Sequence, residues 1–320
     1  MIFNKIQRLL KKLTRDISYG EKMERKLTKQ ILEEGYQHDK QGKNVLDAMK
    51  ELEKYTKEPL NNYSYTIAGK KLADVEEKII KQIHNDVDLA KKIAKMNKHN
   101  HLALKYEILP IIQLSEQYDE ILTKKLLISQ DKEKIIQRQK FLEAHEKLKQ
   151  QISKGPAYID QINSIQRELQ HGESITLAQT EQELNQSIRT LKTTIEEQKE
   201  YKEKIKNEII KLQHEQDIAT IIPHYTGLME TVGVIIDREY KLNLQLHQTK
   251  EALMKRIVHN KQKLFTSYAE LEKEKPGYYK IRRENINKKI QELIHIIIGK
   301  KEEENESLYI NLNDYLNKAA

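Results

Sequence analysis

The chain of 320 residues has no cysteine, no tryptophan, only three phenylalanines, five prolines and ten glycines. Without cysteine there is no disulfide, no thiolate nucleophile and no cysteine-ligated zinc, and the expected compartment is a reducing cytoplasm. So few prolines and glycines leave few places where a helix must break. No stretch approaches the ~18–20 apolar residues of a spanning helix. The apolar runs near the start fall well short of the ~7–15 residues of a secretory core, so any membrane contact is expected to be peripheral.

Catalytic signatures are equally scarce. Gly69-Lys70-Lys71 lacks the upstream glycine and the following Ser or Thr that a phosphate loop needs. His99-Asn100-His101 suggests no third metal ligand and reads as a polar loop. Two Glu-x-x-His pairs, Glu168/His171 and Glu292/His295, resemble the ligand spacing of di-iron bundles. Their number is no greater than this composition gives by chance. The expectation is a protein that is not an enzyme and carries no cofactor and no metal.

What the chain has in quantity is charge at helical spacing. Charged residues are 33% of the sequence, against about 25% in an ordinary domain, and the net charge is +8 from 57 basic and 49 acidic residues. Both signs interleave, as on solvated helix faces with local pairing. Ile and Leu recur at intervals of three and four. That pattern buries narrow seams rather than one round core.

The first nineteen residues stand out. Ile2, Phe3, Ile6, Leu9, Leu10, Leu13 and Ile17 form one stripe of a helix, and Lys5, Arg8, Lys11, Lys12 and Arg15 fill the other face. Gly20 reads as the end of this segment, residues 1–19. A first helical hairpin region, 20–153, is interrupted at Pro59 and by a break near Asn97–His101. Pro110 sits among Ile108, Leu109, Ile111 and Ile112, which predicts a buried kink rather than a loop. A coiled-coil hairpin region, 154–298, opens at Lys154-Gly155-Pro156, turns at His171-Gly172-Glu173-Ser174 and breaks again at Pro223 and at Lys275-Pro276-Gly277. Its clearest seam holds Leu177, Leu184, Ile188, Leu191, Ile195, Ile205, Ile209, Leu212 and Ala219 in one alternating four-three register, which also takes in Gln198, Lys202 and Gln216. A polar tail, 299–320, ends in an apolar segment around Leu308–Leu316.

The expected fold is all-α, an elongated bundle of long antiparallel hairpin helices with coiled-coil segments. Two surfaces are candidates for function. On the first helix, Ile2, Phe3, Lys5, Ile6, Arg8, Leu9, Leu10, Lys11, Lys12 and Leu13 are suited to an anionic membrane; the competing arrangement packs the same apolar stripe on the body. A second basic patch combines Tyr278, Tyr279, Lys280, Arg282, Arg283, Lys288 and Lys289, a composition that suits lipid headgroups or nucleic acid. The competing arrangement is a solvated helix whose Tyr279, Ile286, Ile290, Leu293 and Ile297 face a bundle.

A terminal amphipathic helix leading into long charged hairpin helices resembles the phage-shock-protein-A and ESCRT-III superfamily, and the BAR-domain group with an N-terminal insertion helix. The elements that carry the likeness are Met1-Ile2-Phe3 through Ile17 and the helices beyond Lys22. The resemblance implies a non-catalytic scaffold that self-associates and touches an anionic membrane through its terminal helix. From a different class come a structural coiled-coil adaptor for protein partners, and a nucleic-acid-associated coiled coil using residues 275–289.

Overall fold

The computed structural model describes residues 2–56, 62–114, 132–171, 177–214 and 218–298. They form seven α-helices: α1 (Ile2–Thr56), α2 (Asn62–Ala103), α3 (Lys132–Ile152), α4 (Gly155–His171), α5 (Leu177–His214), α6 (Ile218–Glu274) and α7 (Lys280–Ile298). No strand occurs among the described residues, so the chain is an all-α bundle. The loop expected at Pro59, the turn at Gly172–Ser174, the seam position Gln216 and the tail from residue 299 lie outside the described residues.

The main correction concerns α1. Its 55 residues run without interruption through Gly20, Gly35 and Gly42, so residues 1–19 are not a separate helix. The apolar stripe continues past the glycines, from Leu10, Leu13 and Ile17 through Leu27 and Ile31 to Val45, Met49 and Leu52, and all of these are buried. Tertiary burial of such a stripe outweighs a glycine's cost of about 1 kcal/mol. Gly35 also has a packing reason, because a Cβ there would lie 2.8 Å from Ile188 Cγ2 on α5. Gly227 in α6 has nothing within 4 Å of the same position. Gly227→Ala is therefore expected to stabilise the chain by about 0.5–1 kcal/mol. Gly35→Ala is expected to destabilise it, since overpacking by about 1–3 kcal/mol exceeds that gain. Urea midpoints moving in opposite directions would bear this out.

α1, α2, α6 and α5 pack in that order around a ring, with little contact between α1 and α6 across it. Every neighbouring pair is antiparallel. Glu51 meets Lys71 and Gln41 meets Asn85 between α1 and α2. Asp86 meets Arg256 and Glu76 meets Tyr268 between α2 and α6. Glu24 meets Lys202 and Thr14 meets Gln213 between α1 and α5. α7 lies against α2 and α6, while α3 and α4 lie against the N-terminal half of α6.

The apolar interior is split in two. An upper core gathers Leu27–Leu52 of α1, Tyr65–Met96 of α2, Leu184–Ile195 of α5, Leu242–Leu271 of α6 and the inner face of α7. A lower core gathers Leu10, Leu13 and Ile17 with Ile108–Leu114, α3, Ile205–Leu212 of α5 and Ile221–Tyr240 of α6. Of the expected seam, Leu184, Leu191, Ile195, Ile205, Ile209 and Leu212 are closed to solvent and Ile188 packs partly buried, while the side chains of Leu177 and Ala219 lie outside the described residues.

Several breaks fall where the sequence puts them. Ser153 and Lys154 turn the chain between α3 and α4, and Pro156 sits in the first turn of α4, where its missing N–H costs nothing. Gly277, at φ +79°, takes the left-handed conformation that lets α6 turn into α7. The distortion expected at Pro110 is present, with the proline itself half-buried. A π-helical turn, Leu104–Ile108, precedes it, and Ile108, Ile111 and Ile112 are buried around it. Two expected breaks are absent. Asn97–His101 is continuous helix, and Pro223 lies in the second turn of α6, where only one backbone bond is forgone.

Candidate functional site

Between the two cores the seams turn polar on every helix of the ring. On α1 the stripe from Ile17 to Leu27 is filled by Gly20, Glu21 and Glu24, and both glutamates are buried. On α2 the buried positions are Asn97, Asn100 and, from the π turn, Glu107. On α5 they are Gln198 and Lys202, and on α6 Glu239, Asn243 and His247. The π turn has a local cause. Pro110 lacks an N–H, and its ring crowds the carbonyl four residues back, so the helix widens by one residue before it. That extra residue turns Glu107 toward α1 at Gly20, where a Cβ would overlap the Glu107 carboxylate. Gly20, expected to end a helix, is instead the gap through which Glu107 enters.

Lys202 is the hub. Its Nζ donates a hydrogen bond to Glu24 Oε2 at 2.9 Å and lies 3.4 Å from Glu239 Oε1. Lys206 Nζ, nearer the surface, is 3.6 Å from Glu21 Oε2. Burial alone would lower the Lys202 ammonium, but Glu239, Glu24 and Glu107 together reverse this and hold it well above its ordinary range. Burial pushes the Glu107 carboxyl up to about 7, offset in part by Lys202 and reinforced by the surrounding glutamates. Glu239 rises to about 7 for the same reasons, with burial first. His99, bonded to the Gly20 backbone, is lowered by burial and by Lys202.

This layer is rich in acceptors and poor in donors. Glu24 Oε1, Glu239 Oε2 and Gln198 Oε1 are buried acceptors without a donor, and the Gln198 amide nitrogen beside Glu239 is a donor that the layer does hold. The arrangement can take up protons. Among the described residues no group of His, Asp and Glu has the geometry to hold a metal ion. Glu292 and His295 are exposed on α7.

Drawing Glu21 and Glu24 inward has a second effect, because it leaves the outer face of α1 basic. Arg8, Lys11, Lys12, Arg15, Lys22, Arg25, Lys26 and Lys29 are all exposed, and no acid between residues 8 and 29 is exposed with them. The stripe is about 32 Å long at 1.5 Å per residue, with Tyr19 exposed near its middle. Lys29 pairs with Glu33 at 3.6 Å at its far end.

The expected membrane-contact residues are divided by this packing. Arg8, Lys11 and Lys12 face outward. Leu10 and Leu13 are taken up by the lower core with Ile17, which is the competing arrangement for that stripe. The side chains of Ile2, Phe3, Lys5, Ile6 and Leu9 lie outside the described residues. The second basic patch does not form one cationic surface. Tyr279 is buried against Tyr65 and Tyr268. Arg282 pairs with Glu76 at 2.8 Å and Arg283 with Glu272 at 2.9 Å. Tyr278, Lys280, Lys288 and Lys289 are exposed, while Ile286, Ile290, Leu293 and Ile297 face the bundle. Gly69 of the discounted phosphate loop lies within α2, close to the Tyr279 hydroxyl.

Sequence reasoning missed the carboxylate layer because its members lie as much as 218 residues apart. The available signal was polar residues at seam positions, Gln198 and Lys202 on α5 and Glu24 on α1. No protein-family model, no curated protein and no solved structure matches this chain.

Proposed function

We propose that this chain is a non-catalytic helical scaffold that self-associates and rests peripherally on an anionic membrane surface, with the outer face of α1 as its contact. The observation that supports this is the sorting of charge on α1 over residues 8–29, with Glu21 and Glu24 inward, Asp16 half-buried and eight cations outward. Each basic residue near an anionic leaflet contributes about 1 kcal/mol, and copies joined in an assembly would add avidity. No helix among the described residues is long and apolar enough to cross a membrane.

A second reading, an adaptor for protein partners, is favoured by the burial of Leu10, Leu13 and Ile17, which leaves those side chains no role in insertion. Co-sedimentation with phosphatidylserine-containing vesicles separates the two. The full chain is expected to pellet at low salt and be released at high salt. A variant with Lys11, Lys12, Arg15, Lys22 and Lys26 changed to Glu keeps the buried face and is expected to stay in the supernatant. Equal pelleting of both proteins would remove the basic face from the account. No pelleting of the wild type leaves the adaptor.

A further inference from the structure

The layer that divides the upper core from the lower core interrupts all four helices of the ring at one level. It is stocked with acceptors that find no donor. A neutral carboxyl group carries an O–H, so each proton bound there converts a surplus acceptor into a donor. Glu239 lies beside the Gln198 amide, which is 0% exposed and whose carbonyl oxygen has no donor. Glu107 lies against the Gly20 backbone. The layer also has a route to water. A groove of about 360 Å³ between α1 and α5 is lined by Glu21, Glu24 and Lys202.

We propose that this layer is a proton-operated latch: protons on Glu107 and Glu239 close the junction between the two cores, and their loss loosens it. With all four glutamates ionised, Lys202 is the only fully buried cation among them, and the layer holds a surplus of buried negative charge. Two protons remove most of that surplus and supply the missing donors. The charged groups acting on the pair are Glu21 and Glu24 from α1 and Lys202 from α5; His99 of α2 lies near Lys202 and Glu24, the shallower Lys206 of α5 pairs with Glu21, and His247 is buried about two turns along α6 from Glu239. Burial pushes both carboxyls up to about 7, within the range a cell can reach.

The sign follows from linkage. A carboxyl raised in the folded state takes up a proton on folding between its unfolded value, about 4.5, and its folded value. Stability therefore declines as pH rises from about 4.5 to about 7 and is level above that. His99, held below its ordinary range, works in the opposite direction and blunts the decline.

The test uses the full chain. The melting temperature is expected to fall between pH 5 and pH 7 and to be flat from pH 7.5 to 8.5. Glu107→Gln/Glu239→Gln supplies the amide donors permanently. It is expected to remove this fall and to melt at pH 8 as high as the wild type does at pH 5. Should the double variant not fold, carbon-13 NMR of glutamate-labelled wild type reads the same property, with two carboxyl signals expected to titrate about two units above the rest. A wild-type melting temperature that is flat or rising from pH 5 to 7, an unchanged slope in the double variant, or carboxyl signals that all titrate in the ordinary range would each overturn the latch.

Discussion

Lys202→Met is expected to cost about 3–5 kcal/mol at pH 8, the cost of removing one partner from a buried ionic cluster. Methionine keeps the length of the side chain and loses the charge. Glu24 Oε2 then forfeits its 2.9 Å donor and Glu239 its 3.4 Å neighbour, in a layer where Glu24 Oε1 and Glu239 Oε2 already lack partners. The deficit is expected to shrink at pH 5, where protons take the place of the ammonium. Urea denaturation at the two pH values measures both effects. A loss below about 1 kcal/mol at pH 8 would mean that solvent reaches Lys202 and screens it as a surface pair is screened.

Arg256→Met is the second large effect, again about 3–5 kcal/mol. Arg256 and Asp86 are both 0% exposed and join α6 to α2 inside the upper core. Nε lies 3.2 Å from Oδ2 while Nη2 bonds Oδ1, so the guanidinium grips the carboxylate with two nitrogens. One turn away Asn260 donates to Gln82 at 2.8 Å, and the two pairs together set the register of α2 against α6. Removing Arg256 alone leaves the buried Asp86 carboxylate without its counter-charge. Removing both, as Arg256→Met/Asp86→Leu, is expected to recover most of the loss, because an apolar pair of similar volume needs no compensation for lost hydration. Denaturation of the single and double variants in parallel checks this. A double variant as unstable as the single one would show that the pair contributes through its own attraction.

The parts of the fold legible in the sequence were those fixed locally. Intervals of three and four gave the helices and the buried seam from Leu184 to Leu212. Lys275-Pro276-Gly277 and Lys154-Gly155-Pro156 gave turns, because proline and glycine alter the backbone wherever they sit at a helix boundary. The inner face of α7, from Tyr279 to Ile297, followed from the same periodicity. What was not legible depended on partners distant in sequence. Gly20 looks like a helix end until Glu107 is seen against it. The basic patch at 280–289 looked continuous because Glu76 and Glu272, which neutralise its two arginines, come from other turns and other helices. Leu10 and Leu13 could serve a lipid or a core equally well by pattern, and only α3, α5 and α6 decide between them.

The antiparallel ring sets an order of events during synthesis. Thr14 waits for Gln213, 199 residues later, and Glu24 waits 178 residues for Lys202. At about 5–20 residues per second, the first turns of α1 spend roughly 10–40 s in the emerging chain before their permanent neighbours exist. Throughout that interval the sticky side of α1 and the two carboxylates of its inner edge are open to whatever is nearby. The nascent protein therefore presents a different surface from the finished one, and the α1–α2 hairpin is the part most in need of a chaperone's attention until α5 and α6 arrive.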